Sequence, residues 1–409
     1  MHLLRVARAR TVLLACLLAG ARLPGECDRA TFTLRGGGGF GAAIVSLGDL
    51  DGDGVAEYAA GSPGPPEGPG AVHVVSGRTA SRLHSIPGEE AGGAFGSALT
   101  VVETRLSGDP PVPVSLLAVG APCSGAGRGR VTVHAVTAVD AREVFRLEGA
   151  EAGDLLGVSL ATLSGGEALL IVGAPGARSG GTRRGRALLV DGSGDVRSES
   201  SGERNFEGYG FSVSAAGDVD GDGNDDLLVG SQDPRPGGDH AGRVTVRRRD
   251  GTLLIRIDGR GDERLGGALL GVGDLDGDGF GDFLAGASGA ASLPPCLAAD
   301  PEEAVPGKVH VLRGGAQAVT AGGTLGAVLR VLGDGEPGAL FGASVSVLDD
   351  LDGDGTVELA AGAPRSSHGG KPRSGRIEIF RGSNGNPLWT IGGARADIPQ
   401  MCLRTMTSR

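Results

Sequence analysis

Short runs of alternating apolar and polar residues, most of them bounded by glycine, recur along the chain and predict β-strands. Residues 42–48 and 58–61 are two such runs, separated by an acidic loop that is rich in glycine. Runs of this length with glycine at their ends are typical of buried strands and are too short for helices. The chain also holds 78 glycines among 409 residues, a content that disfavours helices. We therefore predict an all-β fold.

The strand pattern repeats with a period near 55 residues, and each repeat unit opens on a large apolar residue followed by glycine. The six openings are Phe40-Gly41, Phe95-Gly96, Leu156-Gly157, Tyr209-Gly210, Leu265-Gly266 and Phe341-Gly342. In each unit the second strand ends in Gly-Ala or Gly-Ser, and two more short strands follow. A single four-stranded sheet cannot bury both of its faces alone, so units of this kind are predicted to be the blades of a β-propeller.

Four of the six units carry an acidic ladder of nine residues between their first and second strands, with Asp at positions 1, 3 and 5, Gly at position 6 and an acid at position 9. Positions 1, 3, 5, 7 and 9 are Asp49, Asp51, Asp53, Val55 and Glu57 in unit one, Asp218, Asp220, Asp222, Asn224 and Asp226 in unit four, Asp274, Asp276, Asp278, Phe280 and Asp282 in unit five, and Asp350, Asp352, Asp354, Thr356 and Glu358 in unit six. Alternate carboxylates converge when the chain curls, and position 7 adds a backbone carbonyl. The ladders predict about four Ca²⁺ sites, with these residues as ligands.

The EF-hand loop begins in the same way, but it closes on a Glu at position 12 and lies between two helices. Position 12 here is Ala60, Val229, Ala285 or Ala361, and the flanking runs are strands. The ladder is therefore a strand-loop-strand device. Units two and three keep the strands, but their loops, with Glu103, Asp109 and Glu167, lack three convergent carboxylates. We expect no metal in those two units.

The apolar-Gly openings, the Gly-(Ala/Ser) closings and the Asp ladders together resemble the FG-GAP repeat, which occurs in the head of integrin alpha subunits and in other extracellular propellers. The likeness covers roughly residues 31–391. It implies a calcium-stabilised propeller, typically seven-bladed in integrins, that presents loops to protein partners. The chain departs from that family because it shows six units and no stalk domains, transmembrane helix or cytoplasmic basic tail.

Closure of the ring is left open by the strand pattern. Residues 30–34 and 387–391 both look like fourth strands, and a closed six-bladed ring has room for only one of them. A truncated or open ring is therefore favoured over a closed six-bladed one.

We divide the chain into a signal peptide at residues 1–21, a propeller at residues 28–391 with units from about 40, 95, 156, 209, 265 and 341, and an irregular tail at residues 392–409. The start is basic, residues 12–19 are apolar, and Ala19-x-Ala21 is a cleavage pattern. The apolar run is too short to span a bilayer. This predicts a secreted, extracellular protein. The lumen of an organelle is the alternative, because transit peptides are also rich in Arg and poor in acids.

The formal net charge of −11 comes mainly from the acidic ladders and not from the rest of the chain. Positions 1, 3, 5 and 9 of each ladder hold four of the 49 acids, and the remaining acids roughly balance the 38 Lys and Arg. Basic stripes interleaved with aromatic residues are absent from the sequence, which excludes a nucleic-acid partner. After cleavage four cysteines remain, Cys27, Cys123, Cys296 and Cys402, which allow three pairings. A bridge from Cys27 to Cys402 is our hypothesis because a ring brings its ends together, whereas Cys123 and Cys296 lie in nearly opposite units.

Catalytic motifs are lacking, so we predict a binding protein and not an enzyme. Residues 36–41 match G-x-G-x-x-G, but a strand follows them where a dinucleotide site needs a helix. The predicted partner is a protein, a matrix component or a glycan. The alternative is an accessory propeller of a secreted hydrolase, such as a phospholipase or a polysaccharide-active enzyme. Two features fall on the face opposite the ladders, a long insertion at residues 288–307 and the tripeptide Arg260-Gly261-Asp262.

Overall fold

A computed structural model of the chain describes residues 39–107, 112–232, 240–289, 305–315, 328–333, 336–368 and 372–393. Within these residues the six predicted units form six four-stranded antiparallel sheets, arranged as the blades of a propeller. In every sheet the four strands lie side by side in chain order. The prediction of an all-β propeller with six visible units is confirmed.

The strand bounds follow the glycine-bounded apolar runs. Blade I has β1 (Ile44–Gly48), β2 (Glu57–Ser62), β3 (Ala71–Val75) and β4 (Arg82–Pro87). Blade II has β5 (Ala98–Ser107), β6 (Val112–Ala121), β7 (Arg130–Val136) and β8 (Ala141–Glu148). Blade III has β9 (Leu160–Leu163), β10 (Leu169–Ala174), β13 (Arg186–Val190) and β14 (Val196–Ser201), with a small ribbon of β11 (Arg178–Ser179) and β12 (Thr182–Arg183) after its second strand.

The last three blades repeat the same order. Blade IV has β15 (Tyr209–Gly217), β16 (Asp226–Ser231), β17 (Arg243–Arg247) and β18 (Leu253–Asp258). Blade V has β19 (Leu265–Gly273), β20 (Asp282–Ala287), β21 (Lys308–Leu312) and β22 (Val328–Leu332). Blade VI has β23 (Ser344–Leu348), β24 (Glu358–Ala363), β25 (Arg376–Arg381) and β26 (Pro387–Gly392). A short turn at Ser124–Gly127, in which Gly125 and Ala126 have left-handed backbone angles, precedes β7.

The hydrophobic core is divided into layers between consecutive blades. Five buried clusters lie between blades I and II, II and III, III and IV, IV and V, and V and VI. Each cluster combines side chains from the facing sheets; Phe283 of blade V, for example, packs with Val244 of blade IV. Because both faces of an inner blade are covered in this way, its second strand is largely apolar and buried. All six residues of Leu169–Ala174, for example, are buried.

A close backbone contact joins each blade to the next and explains the glycine that closes the second strand. A Cβ atom on Gly61 would lie 1.9 Å from the carbonyl oxygen of Gly96 in the next blade, and one on Gly230 would lie 2.1 Å from that of Gly266. Only glycine permits this approach. The same contact recurs at the other junctions up to blade VI.

Blade VI does not make this contact with blade I in the described part of the chain. The atoms nearest to a Cβ on Gly362 belong to Ser344 of the same blade, and only Ile44 lies within 4 Å of one on Gly41. Phe40 is half-buried, whereas the five later opening residues are buried. The predicted fourth strand at residues 387–391 is β26 of blade VI, and residues 30–34 lie outside the described residues. The described residues therefore do not decide whether the ring is closed.

Candidate metal centres in the blade loops

The first Asp of each ladder shapes the loop by accepting backbone hydrogen bonds. In blade I, Asp49 Oδ1 accepts from the N–H groups of Gly52 and Asp53 at 2.7 and 3.1 Å, and Oδ2 accepts from that of Gly54 at 2.8 Å. Gly52 and Gly54 have φ values of 80° and 84°, which are accessible to glycine without strain. Asp218, Asp274 and Asp350 accept the corresponding bonds in the other three loops.

The curled loops bring most of the predicted carboxylates together. Oxygen atoms from at least three acids lie within 4.8 Å of one another in every ladder. The groups are Asp49, Asp51 and Asp53 in blade I, Asp218, Asp220 and Asp226 in blade IV, Asp274, Asp276 and Asp282 in blade V, and Asp350, Asp352, Asp354 and Glu358 in blade VI. Only blade VI gathers all four acids; Glu57, Asp222 and Asp278 belong to their ladders but fall outside these groups.

The acid at position 9 is the first residue of the second strand and is buried beneath the loop. Glu57 and Glu358 are fully buried, and each accepts a hydrogen bond from the backbone N–H of position 2, at 2.6 Å from Leu50 and 2.5 Å from Leu351. Asp226 and Asp282 accept the same bond, from Val219 at 3.0 Å and from Leu275 at 2.9 Å. This bond ties the ladder to the sheet.

The second carboxylate oxygen of Glu57 and of Glu358 is buried and has no hydrogen-bond partner. A buried anionic oxygen without a donor costs free energy unless a cation satisfies it. The side-chain atoms around this oxygen that could bind a metal are carboxylate oxygens. Such hard ligands suit Ca²⁺ or Mg²⁺ better than the metals that prefer nitrogen or sulfur. The donor set therefore fits the metal that the sequence predicts.

Burial also shifts the acid equilibria of the position-9 residues. Burial, with the neighbouring ladder carboxylates adding to it, raises the pKa of Asp226 to about 7 and that of Asp282 to about 6. The pKa values of Glu57 and Glu358 are raised for the same reason. Without a cation the folded loops hold these carboxyl groups in an environment that opposes their ionisation.

Position 7 contributes through its backbone. The N–H groups of Val55, Asn224, Phe280 and Thr356 donate to the carboxylate at position 5, at 2.8 to 3.0 Å. This bond closes the second half of the loop, and the side chains of Asn224 and Thr356 donate to the same carboxylate oxygen, at 3.1 and 2.5 Å. The predicted role of the position-7 carbonyl as a ligand remains a prediction.

An arginine in each ladder blade contacts the ladder, and the sequence analysis missed it. Arg248, Arg313 and Arg381 donate to Oδ2 of the position-3 Asp at 2.5 Å, and Arg78 donates to Oδ2 of Asp53 at 2.7 Å. The Arg78 hydrogen bond is the main reason why the pKa of Asp53 is lowered, and Asp220 raises the pKa of Arg248. A signal was present in the sequence, because Arg248 and Arg313 directly follow the third strand of their blades and Arg381 is the last residue of its third strand.

Blades II and III show no cluster of three metal-ligating side chains in their described residues. Glu103 lies exposed on β5 and contacts Arg105, while Glu167 lies in the short turn before β10. Asp109 lies outside the described residues.

The remaining candidate features are only partly described. Arg260, Gly261 and Asp262 are exposed in the loop between β18 and β19. Most of the insertion at 288–307 lies outside the described residues, as do Cys27, Cys296 and Cys402. Cys123 forms a disulfide. The hypothesis of a Cys27–Cys402 bridge therefore remains untested. The described part of the chain contains no helix that is long and apolar enough to cross a membrane.

Comparison with known proteins agrees with the repeat architecture. The family model described as the FG-GAP repeat matches residues 209–246, 266–312 and 341–380, which fall in blades IV, V and VI. Integrin alpha-PS2 of Drosophila melanogaster is 32% identical over 196 residues, covering 47% of this chain and 13% of the relative. Integrin alpha-5 of Xenopus laevis is 32% identical over 209 residues, covering 47% of this chain and 18% of the relative.

Among solved structures, the Dos1 propeller is similar over 86% of this chain and 69% of that chain, with a TM-score of 0.44 and 12% sequence identity. The chain spans less than a fifth of the length of the two integrin relatives. The match to each of them covers about half of the residues of this chain. Six four-stranded blades, the FG-GAP matches and these relatives point the same way. The chain is a six-bladed β-propeller that contains FG-GAP repeats in blades IV, V and VI and is similar to integrin alpha subunits over about half of its length.

Proposed function

We propose that the protein is a secreted or cell-surface β-propeller that binds about four Ca²⁺ ions and acts as a scaffold for protein interaction and cell adhesion. The observation that carries the calcium part is the convergence of ladder carboxylates in blades I, IV, V and VI, together with the buried and unpartnered oxygens of Glu57 and Glu358. The scaffold part rests on the propeller architecture and on its likeness to integrin alpha subunits.

The ladder residues have different proposed roles in binding the ion. The Asp at position 1 keeps the loop curled through three backbone hydrogen bonds, so it offers its oxygens in a fixed direction. The carboxylates at positions 3 and 5 and the position-7 carbonyl are the proposed outer ligands. The position-9 acid, held from below by the N–H of position 2, is the proposed anchor to the second strand. When bound, the ion supplies positive charge that joins the loop to the sheet.

Calcium in this scheme stabilises the propeller, and recognition takes place elsewhere. All four ladders connect a first to a second strand, so they lie at the same end of their blades. The opposite end carries the connections between second and third strands and those between blades. Loops on a rigid scaffold are common binding sites, and residues 260–262 and the insertion at 288–307 belong to this end. The partner is a protein, a matrix component or a glycan, and the protein acts by binding, not by catalysis.

The proposed extents are a signal peptide at residues 1–21, a propeller at 28–391 and a tail at 392–409. The basic and apolar start of the chain supports entry into the secretory pathway, where calcium is abundant enough for sites of modest affinity.

Calcium titration of the full chain tests the proposal most simply. We expect saturable binding of about four ions per chain, and a pull-down from extracellular matrix extract that captures more of its partner with calcium than with EGTA. Absence of saturable binding would contradict the calcium part, and equal capture under both conditions would contradict its link to recognition.

A further inference from the structure

The arginine beside each ladder occurs only where the ladder occurs. In strand register, Arg248, Arg313 and Arg381 follow the residue that pairs with the second-strand residue three places before the closing glycine. The same position is Ala135 in blade II and Asp191 in blade III, the two blades without a ladder. In blade I the position is Ser76, and Arg78 reaches the loop from two residues further on. The arginine and the acidic ladder therefore form one unit.

Each arginine contacts the loop at a defined oxygen. Arg248 Nε lies 2.5 Å from Oδ2 of Asp220, whose side chain is 8% exposed, while Oδ1 of that Asp accepts the N–H of Asp222 at 3.2 Å. Arg313 and Arg381 contact Oδ2 of Asp276 and Asp352 in the same way. Both oxygens of the position-3 carboxylate are thus engaged, one by the loop backbone and one by the arginine.

The charge balance of the loop explains what such a contact does. Four carboxylates within one loop repel one another and resist ionisation. A guanidinium fixed at the end of the third strand neutralises one of these charges and holds the loop against the sheet. The same positive charge lies close to the carboxylates that would receive a divalent cation, so it opposes the binding of that cation.

We propose that Arg78, Arg248, Arg313 and Arg381 are built-in counter-ions that keep the ladders folded at low calcium and thereby weaken the affinity of each site for calcium. This inference rests on the proposed calcium function. It gives the sites an affinity suited to a compartment where calcium is plentiful, because sites without the counter-ion would bind more tightly and would need the ion to stay folded.

Blade IV allows the test to be made at one site. Position 7 is Val, Asn, Phe or Thr in the four ladders and is a proposed ligand only through its carbonyl. Asn224→Trp, which loses the side-chain hydrogen bond to Asp222, therefore provides a sensitiser for Tb³⁺ luminescence that is present in the parent and in every variant compared. Calcium competition against Tb³⁺ in this background measures the affinity of the blade IV site in the full chain. Arg248→Met removes the counter-ion and keeps the length of the side chain. Arg256→Met is the matched control, because Arg256 lies on β18 of the same blade and pairs with Glu203 and Asp258 instead of the ladder.

We expect Arg248→Met to tighten calcium binding by roughly three- to tenfold and to lower the melting temperature in EGTA more than Arg256→Met does. Weaker calcium binding by Arg248→Met would overturn the inference, as it would make the arginine a positioning residue for the carboxylate. Equal effects of the two substitutions on both readouts would also overturn it. A parent protein without saturable Tb³⁺ and calcium binding would contradict the proposed function itself, whatever the variants do.

Discussion

Glu358 lies fully buried at the start of β24, and its Oε2 accepts a hydrogen bond from the backbone N–H of Leu351, seven residues earlier in the loop. The bond fastens the acidic loop to the blade. It leaves Oε1 of Glu358 buried without a donor, near the carboxylates of Asp350, Asp352 and Asp354. One residue thus connects the sheet to the proposed metal centre, which is why calcium binding and blade stability are expected to be coupled.

Replacing Glu358 by Gln separates these two roles. The amide keeps the shape and can still accept the Leu351 hydrogen bond, but it removes one negative charge from the centre. We expect Glu358→Gln to reduce the rise in melting temperature that calcium produces, and to leave the melting temperature in EGTA unchanged or higher, because a repulsive buried charge is lost. Differential scanning calorimetry with calcium and with EGTA measures both quantities.

Glu378→Gln is the control for this substitution. Glu378 lies on β25 of the same blade and pairs with Arg376, away from the ladder. An equal loss of the calcium response in Glu378→Gln and Glu358→Gln would show that Glu358 has no special role.

Asp226 and Asp282 should stabilise the protein in EGTA less as pH rises from about 4 to 7, while His73, His134 and His310, whose pKa values burial lowers, act in the opposite direction. The ordinary pKa of Asp226 is 3.8, and burial raises it to about 7 in the folded protein. Between these values the unfolded chain has released the proton while the folded chain retains it, so each increase in pH favours unfolding. Asp282, with a pKa raised to about 6, acts in the same direction. Thermal unfolding in EGTA at pH 5 and pH 8 measures the effect.

Asp226→Asn serves as the test of the cause. The variant should lose part of this pH dependence, because an amide does not titrate. The same change in melting temperature between pH 5 and pH 8 in the parent protein and in Asp226→Asn would contradict the assignment of Asp226.

The junction between blades predicts unequal effects for two equivalent serines. Ser212 Oγ donates to the carbonyl of Gly266 in the next blade at 2.6 Å, as Ser159 Oγ does to Gly210 at 3.0 Å. Ser344 occupies the same place in blade VI, is 6% exposed, and its Oγ has no partner among the described residues. We expect Ser212→Ala to cost about 1 kcal/mol in the free energy of unfolding. Ser344→Ala should cost nothing or be slightly stabilising.

Urea unfolding of the two variants gives this comparison directly. A loss in Ser344→Ala as large as that in Ser212→Ala would mean that blade VI meets a further carbonyl, and hence that its outer face is covered in solution.

The glycines that close the second strands of blades IV and VI predict a larger difference in the free energy of unfolding than the two serines do. A Cβ on Gly230 would meet Ser212 Oγ at 2.4 Å and the Gly266 carbonyl oxygen at 2.1 Å, whereas one on Gly362 would meet only the hydroxyl of Ser344 at a comparable distance, 2.3 Å. A serine side chain can rotate away, but a backbone carbonyl in a packed sheet cannot. Gly230→Ala should therefore cost more than about 3 kcal/mol, and Gly362→Ala far less.

The soluble yield and urea midpoint of these glycine variants are the measurements. Equal losses of stability would show that a Cβ on Gly362 meets a backbone group beyond the described residues, as one on Gly230 does.

The parts of the structure that could be predicted from the sequence are those encoded by local spacing. Glycine-bounded apolar runs predict strands, and the regular placement of Phe40-Gly41 and its equivalents predicts six blades, because these signals lie within a few residues of the elements they define. The acidic ladder could be predicted from the sequence for the same reason, because its carboxylates lie within nine consecutive residues. Its buried ninth position follows from being the first residue of an inner strand, as Glu57 shows.

The features that the sequence analysis missed depend on strand register or on contacts between blades. Arg313 reaches Asp276 only because β21 pairs with β20 in one register, and the two residues are 37 positions apart in the chain. The unpartnered hydroxyl of Ser344 becomes visible only when it is compared with Ser212 in three dimensions. All four ladder acids come together in blade VI but only three in each of the other ladder blades. This difference likewise depends on side-chain geometry that four similar motifs do not reveal.

The central claim is that calcium bound by the ladders stabilises the propeller. The most direct measurement is the melting temperature of the purified full chain in millimolar calcium and in EGTA, with the number of bound ions determined on the same sample. The account predicts about four bound ions and a melting temperature that is clearly higher with calcium than with EGTA. A melting temperature that is the same in both buffers, with no bound calcium, would contradict it.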